Sequence, residues 1–143
     1  MDIRLAQTDD ALRRCHPVVR QLRPEVDEAL FLARVEAQRR RGYELAYLEE
    51  AGQVRAVAGF YVCECLAWRR YLYVNDLITH DGHRGRGHGG ALLDWVIERA
   101  RQHGCDEVHL DSGVQRFDAH RFYLGKGMNI ASHHFSMMLT PKP

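Results

Sequence analysis

The sequence predicts a mixed α+β fold, with a mostly antiparallel central sheet flanked by helices in the order β-α-α-β-β-β-α-β-α-β. Two observations support this prediction. Apolar residues recur at helical spacing before Gly42 and after Gly87, whereas the segments between them are rich in β-branched and aromatic residues. A length of 143 residues and a hydrophobic content of 45% fit one domain, which we expect to span residues 1–143.

The N-terminal part of the chain predicts one short strand and two helices. The alternating residues Ile3 to Ala6 favour a strand, and Thr8 is expected to cap the helix that follows. Pro17 lies inside this first helix and predicts a kink or a break there. Pro24 is expected to open the second helix, which ends at Gly42 after a run of arginines.

The middle of the chain predicts an antiparallel meander and then a long helix. The strands are expected over Tyr43 to Glu49, Val54 to Cys65 and Arg70 to Thr79, because these segments are rich in β-branched and aromatic residues. A glycine-rich segment then leads into a helix from about Gly87 to His103, whose apolar residues share one face.

The C-terminal part predicts a strand, a short helix and a final strand. The first of these strands covers Val108 to Asp111. Asp118 is expected to cap the helix, and Gly127 closes it. The last strand is expected over Ile130 to Leu139.

The composition excludes several classes of function. A formal charge of +1 gives no overall basic field for nucleic acid or for an anionic membrane. No apolar run approaches the roughly 18 residues of a membrane span, and the acidic, broken N-terminal sequence is unlike a signal peptide. The four cysteines form no CxxC pair, which favours reduced, mostly buried thiols. We therefore expect a cytoplasmic protein.

Five glycines and two arginines lie within residues 82–90, and three phosphate-binding patterns compete for this segment. The P-loop pattern is excluded, because no Lys-Ser/Thr pair follows the glycines. Gly85, Gly87 and Gly90 satisfy the dinucleotide pattern GxGxxG, with Asp111 about twenty residues further on. A dinucleotide-binding domain is the less favoured alternative, since HDGH separates the glycines from the preceding strand and too little chain follows for a parallel sheet.

The third pattern is [QR]xxGx[GA], which Arg84, Gly87 and Gly89 satisfy immediately before an amphipathic helix. Here the sequence resembles the GNAT superfamily of N-acetyltransferases, in which this segment cradles the pyrophosphate of acetyl-coenzyme A (acetyl-CoA). The physical reason is general, because N–H groups bared by glycine at a helix N-terminus form a concave donor array for anions. The resemblance implies cofactor contacts from seven successive residues: Arg84, Gly85, Arg86, Gly87, His88, Gly89 and Gly90.

A second signature of the family, A-x-x-F-Y-x-x-x-G, occurs at Ala119, Phe122, Tyr123 and Gly127. The predicted order of elements also matches the family over most of the chain. In the family this tyrosine often protonates the departing CoA thiolate, so the resemblance implies that Tyr123 is the catalytic acid. A tyrosine that only packs between helix and sheet is the alternative.

Two departures from the family pattern affect the site. Many relatives carry Glu-Asp-Leu late in the third meander strand, whereas this chain has Asn75-Asp76-Leu77, which leaves Asp76 as the best carboxylate for a general base or a cation anchor. Adjacent strand residues face opposite sides, so Asp76 need not face the space reached from position 75. Arg116 replaces the asparagine that often holds the pantetheine arm, and it stays a candidate for that contact.

The resemblance implies acetyl transfer from acetyl-CoA to a primary amine in a ternary complex, without a covalent enzyme intermediate. The backbone amides of Leu77, Ile78 and Thr79 would pair with the pantetheine arm like an added strand. The acceptor is left open between a small amine and a protein amine. Because Asn75 cannot take a proton, a non-catalytic acyl-CoA sensor remains an alternative.

Two further expectations concern metals and assembly. Nine histidines are present, but none forms a metal-binding motif, and the adjacent His133 and His134 would point to opposite faces of a strand, so no metal site is expected. In relatives the edge of the last strand often pairs two copies, so the resemblance allows a homodimer, while the sequence leaves the oligomeric state open.

Overall fold

The computed structural model describes residues 1–142, which divide into two compact units, one ending at Leu110 and the other beginning at Asp111. The first unit contains β1 (Asp2–Leu5), α1 (Asp9–Leu22), α2 (Glu28–Arg39), β2 (Glu44–Glu50), β3 (Gln53–Cys65), β4 (Arg69–Thr79), a short 3₁₀ turn (Asp81–His83), α3 (His88–Gln102) and β5 (Glu107–Leu110). The second unit contains α4 (Phe117–Gly125). The predicted mixed α+β class is confirmed.

The five strands form one sheet in the order β1-β2-β3-β4-β5. Neighbouring strands from β1 to β4 are antiparallel, and only β4 and β5 run parallel, over Tyr71–Val74 and Glu107–Leu110. A dinucleotide-binding fold is built on a parallel sheet. The predicted mostly antiparallel sheet is therefore confirmed, and such a sheet does not fit a dinucleotide-binding domain.

The sheet carries an apolar core on each face. Along β2, Leu45 and Tyr47 belong to the core under α1 and α2, whereas Ala46 and Leu48 belong to the core under α3. This alternation follows from the pleat of a strand, in which successive side chains point to opposite faces. The central strands are thus covered by helices on both sides, which explains their nearly continuous apolar sequence.

The first two helices differ from the prediction in two places. The cap at Thr8 is present, since its side chain accepts a hydrogen bond from the Ala11 N–H at 3.1 Å. Helix α1 then continues through Pro17 without the predicted break, because the buried residues on both sides of the proline keep the helix packed on the sheet. Helix α2 is capped by Asp27 rather than opened by Pro24, and the Asp27 carboxylate accepts from the Leu30 N–H at 2.8 Å.

The second unit departs more from the sequence prediction. Asp118 lies inside the first turn of α4 and pairs with Arg121 at 2.9 Å, so the predicted Asp118 cap is wrong. Gly127 does close the helix in the left-handed conformation, with φ at +89°. The predicted strand at residues 130–139 is also wrong: these residues are exposed and form no strand, because a strand needs a hydrogen-bonded neighbour. None of the helices described combines the length and apolar content needed to cross a membrane.

Candidate active site

The glycine-rich loop presents uncapped N–H groups at the start of α3. Gly85 and Gly87 adopt left-handed conformations, with φ at +78° and +82°, which residues with side chains rarely adopt. Gly87 is the N-cap and supplies no side-chain acceptor to the helix. The first-turn N–H groups of His88, Gly89 and Gly90 consequently have no acceptor within the helix. The loop thus has the donor geometry that favours an anion.

Gly89 brings this helix N-terminus against the end of β4. A Cβ atom at position 89 would lie 2.8 Å from Thr79 Oγ1, closer than Cβ atoms approach other groups in real structures. Only glycine therefore fits here without a shift of the helix or of the threonine. The donor array of α3 and the C-terminal end of β4 consequently form one continuous site.

Two arginines of the loop are held only by exposed contacts. Arg84 pairs with Asp81 at 2.6 Å, and Arg86 approaches His83 Nδ1 at 3.3 Å. Arg55 contacts the other ring nitrogen of His83, and partial burial together with the charges of both arginines lowers the His83 pKa. A neutral imidazole offers a single acceptor, so it cannot accept from both arginines at once. Arg86 is the more distant of the two and is free to bind an anion.

His88 contributes only its backbone to the loop. Its side chain is buried, and Nε2 lies 3.0 Å from Glu50 Oε2. This hydrogen bond is the main reason that the pKa of Glu50 is lowered. The imidazole therefore fastens the start of α3 to β2 rather than facing a ligand.

The edge of β4 opens next to this loop. The ladder between β4 and β5 ends at Val74 and Leu110, whereas β4 continues to Thr79. Backbone groups on the β5 side of β4 beyond Val74 therefore lie outside that ladder. An extended ligand can add to such an edge as a further strand. The predicted cofactor residues Leu77, Ile78 and Thr79 lie on this part of β4.

A β-bulge at Asn75 decides which way Asp76 faces. Gly59 pairs with Asp76 and Phe60 pairs with Val74, which leaves Asn75 as an extra residue in β4. An extra residue reverses the alternation of the strand, so Asp76 lies on the same face as Ile78, under α1 and α2. The expectation from simple alternation is therefore corrected, because Asp76 takes the face that position 75 would have had in a regular strand.

Both carboxylate oxygens of Asp76 have partners. Oδ2 accepts a hydrogen bond from the Tyr43 hydroxyl at 3.0 Å, and Oδ1 accepts from Arg23 Nε and Nη2 at 3.3 and 3.2 Å. The Asp76 side chain is 19% exposed, whereas that of Arg23 is 44% exposed. Burial is the main cause that raises the pKa of Tyr43, and the negative charge of Asp76 adds to it, so the phenol remains a hydrogen-bond donor. One oxygen is thus held from inside the protein and the other from its surface.

Gly59 makes the Tyr43–Asp76 contact possible. A Cβ atom at position 59 would lie 1.7 Å from the Tyr43 hydroxyl oxygen. The Tyr43 ring is therefore able to cross β3 only because that residue has no side chain. Tyr61 packs on the same ring, with centroids 5.2 Å apart, and keeps it over the strand.

Comparison with known proteins identifies the family. Residues 5–128 match the family model described as the acetyltransferase (GNAT) family. The chain belongs to the GNAT acetyltransferase family. The match covers both the glycine loop before α3 and the tyrosine signature in α4.

Curated relatives and a solved structure agree with this assignment. An uncharacterized N-acetyltransferase of Bacillus subtilis, YhdJ, is 38% identical over 122 residues, covering 84% of this chain and 86% of the relative. The aminoalkylphosphonate N-acetyltransferase of Salmonella typhimurium is 36% identical over 66 residues, covering 46% and 43% of the two chains. The GNAT fold also matches the aminoglycoside N-acetyltransferase AAC(6')-Iy in complex with CoA, with a TM-score of 0.84 and 15% identity over 96% and 93% of the chains. Family and relatives make this chain an N-acetyltransferase.

The remaining candidate residues of the GNAT pattern lie in the second unit. Tyr123 is on α4, partly buried, with its ring centroid 5.2 Å from that of Phe122. Burial raises the pKa of Tyr123, and Arg116 opposes this effect. The phenol is therefore protonated at neutral pH. Arg116 is exposed at the N-cap of α4, and the roles of both residues stay predictions.

Sequence reasoning did not identify the partners of Asp76. Arg23, Tyr43 and Gly59 come from three different elements, and their meeting depends on the bulge at Asn75. One signal was available, because an isolated glycine inside a strand pattern often marks a bulge or a close approach. Among residues 1–142, no group of three or more histidine, cysteine, aspartate or glutamate residues is arranged to hold a metal ion.

Replacing Gly59 with alanine tests the packing under Asp76. The new methyl group overlaps the buried Tyr43 hydroxyl, so we expect Gly59→Ala to lower the free energy of unfolding by about 1–3 kcal/mol. Thermal and denaturant unfolding measure this loss. Gly125→Ala is the control, because a Cβ atom there meets nothing within 4 Å, and it should melt no lower than the unaltered protein. Equal stability of the two variants would contradict the close approach of Tyr43 to β3.

Proposed function

We propose that this N-acetyltransferase uses acetyl-CoA as donor and transfers the acetyl group directly to a primary amine in a ternary complex. The observation that carries the proposal is the contact of Gly89 with Thr79, which joins the anion-binding end of α3 to the open edge of β4. A cofactor with a diphosphate at one end and an extended amide-containing arm at the other requires these two features side by side.

The proposed reaction balances without a covalent enzyme intermediate. The acceptor ammonium loses one proton, and the neutral nitrogen attacks the thioester carbonyl carbon. A C–N bond forms as the C–S bond breaks, the acetylated nitrogen gives up a second proton, and the departing thiolate takes one proton to give free CoA. Acetyl-CoA and an ammonium thus give an acetamide, CoA and one proton released to solvent. Backbone N–H groups on the open edge of β4 are suited to stabilise the carbonyl oxygen.

Two side chains are proposed for the proton transfers. Tyr123 supplies the proton to the thiolate, which fits a phenol that burial keeps protonated at neutral pH. Asp76 binds the acceptor ammonium or takes its proton, since it is a partly exposed carboxylate on the part of β4 beyond the ladder with β5. Arg116 is proposed to contact the cofactor from the N-terminus of α4.

A small amine is the favoured acceptor. The Salmonella relative is named for an aminoalkylphosphonate, which is a small molecule. Asp76 lies in a narrow setting between Tyr43 and Arg23 rather than on a wide acidic surface of the kind that binds a basic protein segment. A sensor that binds acyl-CoA without turnover would release no thiol in the presence of any amine, and a thiol-release assay across an amine panel separates the two functions.

Binding of CoA tests the glycine loop. We expect the double variant Arg84→Gln/Arg86→Gln to bind CoA about 10–100-fold more weakly in calorimetry, because each arginine supplies a charged hydrogen bond to phosphate. Pantetheine, which lacks the diphosphate, should bind both proteins equally. Arg101→Gln, at the other end of α3, is the control and should bind CoA normally. Unchanged CoA affinity in the double variant would remove the arginines from the cofactor site.

Replacing Tyr123 with phenylalanine tests whether this tyrosine is the catalytic acid that protonates the CoA thiolate. We expect Tyr123→Phe to lower kcat by about 10²–10⁴ while the affinity for acetyl-CoA changes little, because the hydroxyl is needed only when the thiolate departs. Steady-state kinetics measure both quantities. Tyr71→Phe, early in β4, is the control for loss of a phenol and should keep its activity. An unaltered kcat for Tyr123→Phe would exclude it as the acid.

We also propose that two copies associate through the C-terminal segment, residues 130–139. Several large apolar side chains in this segment are exposed: Ile130, Phe135, Met137, Met138 and Leu139. Apolar surface of this kind favours association with another chain.

Light scattering after size exclusion tests the association. We expect a particle of twice the 16.5 kDa chain mass. Phe135→Asp/Met137→Asp should give a monomer, whereas Ser132→Asp, an exposed polar position in the same segment, should not. A monomer for the unaltered protein would contradict the association.

A further inference from the structure

We propose that the acceptor is a zwitterion, an amine that carries a carboxylate, phosphonate or similar acid group close to its nitrogen, and that Arg23 binds this acid group while Asp76 binds the ammonium. The inference rests on the proposed acetyl transfer at this site and specifies the class of its acceptor. It is drawn from the ion pair between Arg23 and Asp76 in the first unit.

The Arg23–Asp76 pair is placed where an acceptor amine must arrive. Asp76 follows the bulge at Asn75 and lies on the open part of β4, beyond the ladder with β5. Arg23 is the C-cap residue of α1, where the chain leaves the helix toward α2. The two charged groups therefore come from different elements and meet on the face of β4 that lies under α1 and α2.

The two oxygens of Asp76 are not equally available to a ligand. Oδ2 is held by Tyr43, which is buried and is kept in place by Gly59 and Tyr61. Oδ1 is held by Arg23, whose side chain is 44% exposed, at 3.2–3.3 Å. Charged N–H to oxygen bonds in proteins are usually about 2.7–2.9 Å long, so this contact is a loose one. A ligand can therefore displace Arg23 from Oδ1 while Tyr43 keeps the carboxylate oriented.

The opposite charges of Arg23 and Asp76 favour a ligand that also carries one positive and one negative group. Arg23 and Asp76 together are neutral, and a simple amine that binds Asp76 leaves the guanidinium without its anion. A zwitterion replaces both partners at once, because its ammonium takes the place of Arg23 and its acid group takes the place of Asp76. Guanidinium binds planar carboxylate and tetrahedral phosphonate groups through paired N–H donors. Nη1 of Arg23 makes no hydrogen bond to residues 1–142 and is available for the second of these bonds.

The distance between the Arg23 guanidinium and the Asp76 carboxylate also limits how far apart the ammonium and the acid group of the ligand can be. The guanidinium and the carboxylate are in direct contact, at 3.2 Å. A ligand whose charges are to exchange with both groups must carry its ammonium and its acid close together. Short amino acids and aminoalkylphosphonic acids have this arrangement, whereas long diamines and unsubstituted alkylamines do not. The pair thus favours a compact zwitterion over a polyamine.

Matched acceptor pairs test the inference. Thiol release from acetyl-CoA is measured with glycine and glycinamide, with β-alanine and β-alaninamide, and with 2-aminoethylphosphonate and ethylamine, each compared at equal concentrations of neutral amine. For at least one pair we expect kcat/KM to be about 10–100-fold higher for the acid member, the effect of one charged hydrogen-bonded pair. Arg23→Gln should remove this preference by lowering kcat/KM for the acid alone, and Arg23→Lys should restore part of it.

Control variants and outcomes separate this inference from the function on which it rests. Arg20→Gln removes an exposed arginine from the same helix and should leave both members of each pair unchanged. If the unaltered enzyme acetylates amides and simple amines as well as their acid partners, or if Arg23→Gln affects both members equally, the zwitterion inference is wrong and the transferase proposal stands. If CoA binds but no amine releases thiol, or CoA does not bind, the proposed function itself fails.

Discussion

One extra residue in β4 determines how the first unit of this enzyme is arranged around its site. Because Asn75 interrupts the pairing with β3, Asp76 and Ile78 face α1 and α2, whereas Leu77 and Thr79 face α3. Just before the same point β4 parts from β5, and its backbone edge becomes open. The bulge therefore places a carboxylate on one side of the strand, and it lies where the hydrogen-bonding edge of β4 becomes open. In a regular strand Asp76 would face α3, away from Tyr43 and Arg23.

Two glycines then bring the neighbouring elements to this strand. Gly89 lets the N-terminus of α3 approach Thr79, and Gly59 lets the Tyr43 ring reach Asp76 across β3. In both cases a Cβ atom would occupy the space that the approaching group needs. Glycine costs conformational entropy in a strand or a helix, which is acceptable where a close approach is required. These positions shape the two halves of the proposed site, one for the cofactor diphosphate and one for the acceptor amine.

The class of fold could be predicted from the sequence, and candidate cofactor residues could be proposed, because both depend on contiguous sequence patterns. The meander strands were expected nearly where they occur, and the loop motif lies within residues 84–90. Asp76 was predicted as the candidate carboxylate, but its partners Arg23 and Tyr43 were not, since they are distant in sequence and meet Asp76 only through the bulge. Helix α1 crosses Pro17 because packing on the sheet outweighs the local preference against proline. The prediction of a last strand at residues 130–139 was wrong, because residues that favour a strand do not form one without a neighbouring strand to pair with.

The partners of Asp76 also bear on how it can act in catalysis. A carboxylate that holds an ammonium stabilises the charged amine and so opposes the loss of the proton that must precede attack. Asp76 is therefore better suited to hold the acceptor beside the open edge of β4 than to keep its proton. Since the side chain remains 19% exposed, water can reach it and carry the proton away. An acid group on the acceptor would hold Arg23 away from Oδ1 and so leave that oxygen open to the acceptor ammonium.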